Sequence, residues 1–118
     1  MQSFENLHVW REAHAFAVDI AAHKDPRITR HADWWRQLRR AAESIPANIA
    51  EGAAFDSRAQ FARFLTIAIA SAQEVHNHLL LGRDTQRLPI SIAAPWIEQV
   101  QRVRKMLIRL LRAVERRG

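Results

Sequence analysis

Residues 96–116 read WIEQVQRVRKMLIRLLRAVER, and this stretch decides the fold class. Its apolar side chains recur at steps of three and four residues, which is the period of one face of an α-helix. We expect this helix to begin between Ser91 and Pro95, because proline is tolerated in the first turn of a helix. The apolar positions are Trp96, Val100, Val103, Leu107, Leu110, Leu111 and Val114.

The basic side chains of the same segment follow the same period. At 1.5 Å per residue they form a stripe about 21 Å long, and on a helical wheel the stripe points about 160° away from the apolar face. A fold that buries the apolar face therefore displays this basic stripe. Its members are Arg102, Lys105, Arg109, Arg112 and Arg116.

The net charge of +6 belongs to this last helix. Residues 1–98 carry 11 basic and 11 acidic groups, whereas the last 20 of the 118 residues carry seven basic groups, Arg117 included, and one acidic group. One interpretation is a binding surface for a polyanion, because guanidinium groups fork onto phosphate oxygens. The other is a solvated helix face, with its cations partly stabilised by the helix C-terminus. No aromatic residues interleave the stripe, so stacking of single-stranded bases is not indicated there.

Two further helical segments open the chain. The first is expected to start at Ser3 or Asn6, which are good N-cap residues, and to run to about Lys24. The second covers residues 32–51, and Gly52 is expected to supply its C-terminal stop.

Pro46 lies inside the pattern of the second helix, where a kink is favoured over the first turn of a new helix. Another helix opens at Ser57, a capping residue, and ends near Gly82 to Asp84. With the last helix this makes four helices joined by short connections. The sequence therefore predicts an all-α fold, an antiparallel up-down-up-down four-helix bundle, as one domain over residues 1–118.

The composition excludes several classes of protein. The chain has no cysteine, so it has no disulfide framework, no thiolate zinc site and no thiol nucleophile. The N-terminus lacks the pattern of a signal peptide, and the longest nearly apolar stretch, residues 64–72, is about half the length of a membrane span. We expect a cytoplasmic protein with no membrane contact.

Candidate catalytic and metal-binding patterns are weak. None of the six histidines lies three or four residues from another, which is the spacing that a helical metal site needs. Glu5 and His8 match one half of a di-iron motif whose other half is missing. Glu74 and His78 fit a hydrogen-bonded pair better than a metal site. With no phosphate loop or nucleophile elbow either, we expect no enzyme, no catalytic residue, no metal, no cofactor and no small-molecule substrate.

Four tryptophans occur in this chain. The adjacent pair Trp34 and Trp35 flanks the stripe of the second helix, and the simplest interpretation is core packing at one end of the bundle. The apolar face of the first helix is about 200° wide, which is more than one neighbour needs. This excess of apolar surface predicts a homo-oligomer.

Residues 37–41, QLRRA, and 44–52, SIPANIAEG, carry a resemblance. They resemble the signature of the four-helix-bundle family encoded in intervening sequences of bacterial 23S ribosomal RNA genes, and weaker matches extend from residue 4 to about 114. The resemblance implies an antiparallel bundle that assembles as a ring, with a pentamer expected, and no assigned catalytic activity. Related accessory proteins of diversity-generating retroelements share this architecture, and there basic pentamers bind nucleic acid and a reverse transcriptase.

The signature supplies candidate interface residues. A nearby polar side chain such as Asn48, or a neighbouring helix, is a candidate partner for the carbonyl of Ala42, which Pro46 leaves without a donor. Glu51 lies near a helix end where the dipole disfavours an acid, and a basic partner across a subunit contact would stabilise it. The alternative is that the signature only shapes the helix and the bundle. The candidate residues are Arg39, Arg40, Ser44, Pro46, Asn48, Glu51 and Gly52.

Two functional hypotheses follow. The first is a non-enzymatic oligomer that binds RNA or DNA through the basic stripe. The second is a scaffold for protein–protein interaction that has no role with nucleic acid.

Overall fold

A computed structural model describes residues 3–116. Over this range the chain is helical and contains no strand, which confirms the all-α prediction. A 3-10 helix covers Phe4–Asn6 and precedes five α-helices. These are α1 (His8–Ala21), α2 (Pro26–Thr29), α3 (Ala32–Ala53), α4 (Arg58–Asp84) and α5 (Ile90–Arg116). The four-residue helix α2 was not expected from the sequence.

The molecule is elongated, and its two longest helices nearly match its length. The protein measures 47 × 20 × 20 Å, and α4 and α5, with 27 residues each, are about 40 Å long at 1.5 Å per residue. Helix α1 packs against α3 and α5, and α4 also packs against α3 and α5. Their apolar faces meet in one core. None of the helices described in residues 3–116 has the length and hydropathy that crossing a membrane requires.

Helices α3 and α4 run in opposite directions. At the start of α3, Trp34 Nε1 donates a hydrogen bond of 2.9 Å to the carbonyl of His78, close to the end of α4. At the end of α3, Gly52 lies against Phe61 and Phe64 in the first turns of α4. The two helices therefore lie side by side over nearly their full lengths.

Gly52 does not end its helix, so the expected stop is wrong. Helix α3 continues to Ala53, and Gly52 is buried within it. A Cβ atom at Gly52 would lie 2.8 Å from Phe64 Cβ and 3.0 Å from Phe61 Cδ1. The glycine therefore permits a close approach of α3 and α4, because any side chain would hold the two helices apart.

The first helix begins later than expected. Neither Ser3 nor Asn6 caps α1, which starts at His8 after Leu7 in an extended conformation. The 3-10 helix before it places Phe4 edge-on against Trp10, with ring centroids 5.0 Å apart. This contact and the half-buried Leu7 fold the chain back onto the core, so the first turn is separate from α1. Helix α4, in contrast, starts where predicted: the Ser57 side chain accepts a hydrogen bond from the Gln60 amide.

Both prolines of the helical patterns lie inside helices. Helix α3 is continuous through Pro46, so the possibility that a new helix starts there is wrong. Helix α5 begins at Ile90, earlier than predicted, and Pro95 is beyond its first turn. The earlier start has a backbone cause, because the Pro89 carbonyl already accepts hydrogen bonds from the amides of Ile92 and Ala93 at 3.0 and 2.8 Å.

Three tryptophans pack together at one end of the molecule, as the simplest interpretation predicted. Trp34, Trp35 and Trp96 are each 6–7% exposed, and the ring of Trp35 lies 6.1 Å from that of Trp34 and 6.4 Å from that of Trp96. The ring of His23 meets Trp96 edge-on at 5.6 Å. We call this group the tryptophan cluster. It gathers the end of α1 and the starts of α3 and α5.

Candidate nucleic-acid interface

All five residues of the basic stripe are exposed on α5. On the opposite side of the same helix, Val100, Val103 and Leu107 are at most 1% exposed. The apolar and the basic residues of α5 each repeat every three or four positions, on opposite faces of the helix. Burying the apolar face therefore exposes the basic face to solvent.

The first residue of the stripe is partly neutralised. Arg102 Nη2 lies 3.6 Å from Glu12 Oε2 of α1, and Glu12 also lies 3.7 Å from His8 Nε2. This contact was not predictable from sequence, because it joins helices that are far apart along the chain.

The other four cations of the stripe have no carboxylate within 4.0 Å among residues 3–116. From Lys105 to Arg116 they extend over about 16 Å of helix. Arg104 is only half-exposed and is not part of the stripe. Arg117, which contributed to the charge of the C-terminal segment, lies outside the described residues. The structure thus displays four uncompensated positive charges along one helix face.

An apolar groove borders the stripe where the end of α5 meets the start of α1. Its volume is about 330 Å³, and Arg109 is its only charged lining residue among those described. The groove was not predicted, because a periodic pattern shows which face is apolar but not how closely a second helix covers it. Its walls are formed by Leu7, His8, Val9, Met106, Arg109, Leu110 and Ala113.

One part of the signature lies between α3 and α4. Ser44 Oγ and Ser71 Oγ are hydrogen-bonded at 2.5 Å. Asn48 Nδ2 donates to the Ser44 carbonyl at 2.8 Å and to Ser44 Oγ at 3.2 Å. The expectation that Asn48 serves the Ala42 carbonyl is therefore wrong: its side chain folds back one helical turn, onto Ser44. Ser44, Asn48 and the buried Pro46 and Gly52 therefore belong to the α3 side that packs toward the core and α4.

The other part of the signature faces outward. Arg39, Arg40 and Glu51 are exposed, and none of them forms an ion pair within residues 3–116. Arg40 and Glu51 are 11 residues apart on one helix, which separates them by about 16 Å along its axis. A pair between them cannot form within one chain, and their pairing across a subunit contact stays a prediction.

The residues described include no group of three or more histidine, cysteine, aspartate or glutamate side chains that could hold a metal ion. His78 Nε2 lies 3.5 Å from Glu74 Oε2, but neither ring nitrogen of His78 forms a hydrogen bond within residues 3–116, so the hydrogen-bonded pair that their spacing suggested is not formed. The His78 side chain is only 12% exposed.

Taken together, these features define a class: an all-helical protein with a cationic helix face and a polar contact between α3 and α4. The family comparison is more specific. The chain belongs to the 23S rRNA-intervening sequence protein family, whose model matches residues 5–109.

A solved structure supports the same assignment. It is the crystal structure of a protein with unknown function from the S23 ribosomal protein family of Bacteroides thetaiotaomicron VPI-5482. The two folds are similar with a TM-score of 0.78 and 26% sequence identity, over 88% of this chain and 95% of that chain. No curated protein matches the chain in sequence.

Proposed function

We propose that this protein is a non-enzymatic homo-oligomer that binds RNA or DNA through the basic stripe of α5. The observation that carries the proposal is the row of four exposed cations without carboxylate partners, Lys105, Arg109, Arg112 and Arg116. Like charges at this spacing repel each other on a helix. A phosphate backbone relieves the repulsion and releases its own counterions, which makes binding favourable at low salt.

We further propose a cytoplasmic single-domain bundle of the up-down-up-down type, assembled as a pentameric ring. The opposite directions of α3 and α4 support the bundle. Exposed apolar side chains support the assembly: Ile67 and Leu81 of α4 are 38% and 46% exposed, and their spacing of 14 residues puts them near one face. A ring would repeat the stripe on every subunit and strengthen its attraction for a polyanion.

The test of nucleic-acid binding is the salt dependence of affinity. Four phosphate contacts per subunit predict a slope of log K against log salt of about −2.8 for single strands and about −3.6 for duplex DNA. The variant Lys105→Ala/Arg109→Ala/Arg112→Ala should flatten the slope and weaken binding to both.

A matched control removes three exposed arginines elsewhere, with Arg36, Arg58 and Arg63 changed to alanine. It loses the same charge but should keep the slope. An equal loss in both triple variants, or an affinity independent of salt, would show that the stripe is not the binding surface. Mass measured in solution with and without a labelled RNA tests the assembly in the same experiment.

The groove beside Arg109 favours a second candidate, a scaffold for protein–protein interaction. An apolar wall with one cation at its edge suits a partner segment that carries an apolar side chain beside an acid. In this case the chain binds neither RNA nor DNA at low salt, and its complex with the partner survives nuclease treatment.

A further inference from the structure

A second cationic site lies at the end of the molecule that holds the tryptophan cluster. It is a cleft of about 490 Å³ between α2 and the turn that joins α4 to α5. Four arginines line it, two from each side, together with an apolar wall that includes Pro89 and Ile90. Ile90 is 70% exposed. The arginines are Arg27, Arg30, Arg83 and Arg87.

Two of these arginines are already paired with acids. Arg27 Nη2 lies 2.8 Å from Asp25 Oδ2, and Arg83 Nε lies 2.8 Å from Asp84 Oδ1. These bonds hold the pKa of both carboxyls below their usual range. At neutral pH both acids are therefore ionised, and each is paired with its own arginine.

The other two arginines have no acid of their own. Within residues 3–116, no carboxylate lies within 4.0 Å of Arg30 or Arg87. The nearby Asp33 is bound to Arg36 at 3.0 Å. Arg87 is also half-buried, which reduces the water that could solvate its charge. Two uncompensated guanidinium groups therefore share one cleft.

The turn that carries Arg87 is fixed to the core. At the end of α4 the Gln86 amide donates to the Arg83 carbonyl at 3.2 Å, and the Arg87 amide donates to the Gly82 carbonyl at 2.9 Å. This is a Schellman motif, in which glycine usually occupies the left-handed position. Here Gln86 occupies it, with φ +60°. Leu88, which follows Arg87, is 1% exposed and anchors the turn.

Arg30 is held in a similar way from the other side. Its amide donates to the Pro26 carbonyl at 3.0 Å, and the short helix around it is capped by Asp25, which accepts from the Arg27 amide at 3.0 Å. Ile28 is 1% exposed and fixes α2 against the core. Both free guanidinium groups thus extend from backbone that is already ordered.

We propose that this cleft binds a phosphate ester of about nucleotide size. Two guanidinium groups on opposite sides of a cleft suit a tetrahedral dianion, because each planar fork can donate two hydrogen bonds to phosphate oxygens. The volume is within the range of about 300–1,000 Å³ that is typical of small-molecule sites. Pro89 and Ile90 offer an apolar surface for the organic part of the ligand.

This site is separate from the basic stripe. The cleft lies at the start of α5, whereas the four free cations of the stripe occupy the last three turns of the same helix. The two proposals can therefore fail independently.

The test is a calorimetric titration of the full chain at low salt with three probes: ADP, inorganic phosphate and adenosine. We expect ADP to bind, phosphate to bind more weakly and adenosine not to bind. Changing Arg30→Gln or Arg87→Gln should each reduce the affinity for ADP about tenfold, as for a lost hydrogen bond to a charged group.

The control is Arg58→Gln/Arg63→Gln, which removes two exposed charges at the other end of α4 and should leave ADP affinity unchanged. Far-UV circular dichroism confirms that each variant folds. Absence of ADP binding by the folded wild-type chain, or an equal loss in the control, would overturn the proposal. So would a variant at Arg30 and Arg87 that binds RNA more weakly while ADP affinity stays the same.

Discussion

The substitution Gly52→Ala tests the closest approach between α3 and α4. Two effects oppose each other at this position. Alanine is favoured over glycine inside a helix by about 0.5–1 kcal/mol. Against that, the new Cβ would lie 2.8 Å from Phe64 Cβ, whereas ordinary van der Waals contact begins at 3.4 Å.

The steric effect should exceed the gain in helix propensity. Phe64 Cβ is attached directly to the backbone of α4, so no rotation of a side chain can relieve the overlap, and the helices must separate by roughly 0.6 Å. Overpacking of this kind costs about 1–3 kcal/mol, and a contact with no freedom to move belongs in the upper half of that range. We therefore expect Gly52→Ala to lower the free energy of unfolding by about 1–2.5 kcal/mol.

The measurement is urea denaturation followed by far-UV circular dichroism, at one fixed protein concentration because assembly affects the transition. The control is Ala15→Gly at an exposed position in α1, which reports helix propensity without a steric term. If Gly52→Ala raised the free energy of unfolding by as much as Ala15→Gly lowered it, the reasoning about close packing would be refuted.

Three further predictions concern polar groups and the backbone. Changing Ser44 to alanine should cost about 1–2 kcal/mol, since it leaves the Ser71 hydroxyl without its partner, whereas Ser71→Ala should cost less because Ser44 Oγ still accepts from Asn48 Nδ2; the double variant should cost little more than Ser44→Ala, and a double-mutant cycle with no coupling would contradict this. Gln86→Gly should raise the free energy of unfolding by up to about 1 kcal/mol, because glycine adopts the left-handed conformation without strain, and urea denaturation would show it. The hydrogen bonds from Arg27 lower the pKa of Asp25 to about 2. Because this folded-state pKa lies below the ordinary value of 3.8, the pair stabilises the fold above about pH 4, and that stabilisation is lost as the pH falls toward 2. Asp25→Asn should remove this part of the acid dependence in a pH series of thermal melts.

Local signals in the sequence predicted much of the fold. Ser57 marks the start of α4 because its capping bond is made within four residues. The outward face of α5 was predictable too, because it follows from the spacing of the apolar residues of that helix alone.

Features that depend on a second helix were not predictable. Glycine commonly ends a helix, so the sequence alone suggested that role for Gly52. Only the position of Phe64 on α4 shows that Gly52 is instead a packing residue between α3 and α4. The stripe was predicted as five exposed cations, but Glu12 of α1 lies within ion-pair distance of one of them, Arg102. The cleft beside Arg87 depends on how α2 packs beside the turn between α4 and α5. The periodicity of a sequence carries no information about this tertiary contact.

The tryptophan cluster gives the protein an optical probe of its own. Three indole rings held in fixed mutual orientation produce a near-ultraviolet circular dichroism signal that disappears when side-chain packing is lost, even if the helices persist. Because the rings lie beside the turn that carries Arg87, the signal reports order at that end of the molecule. It can therefore separate a ligand that tightens the cleft from one that acts only at the distant end of α5, with no label attached.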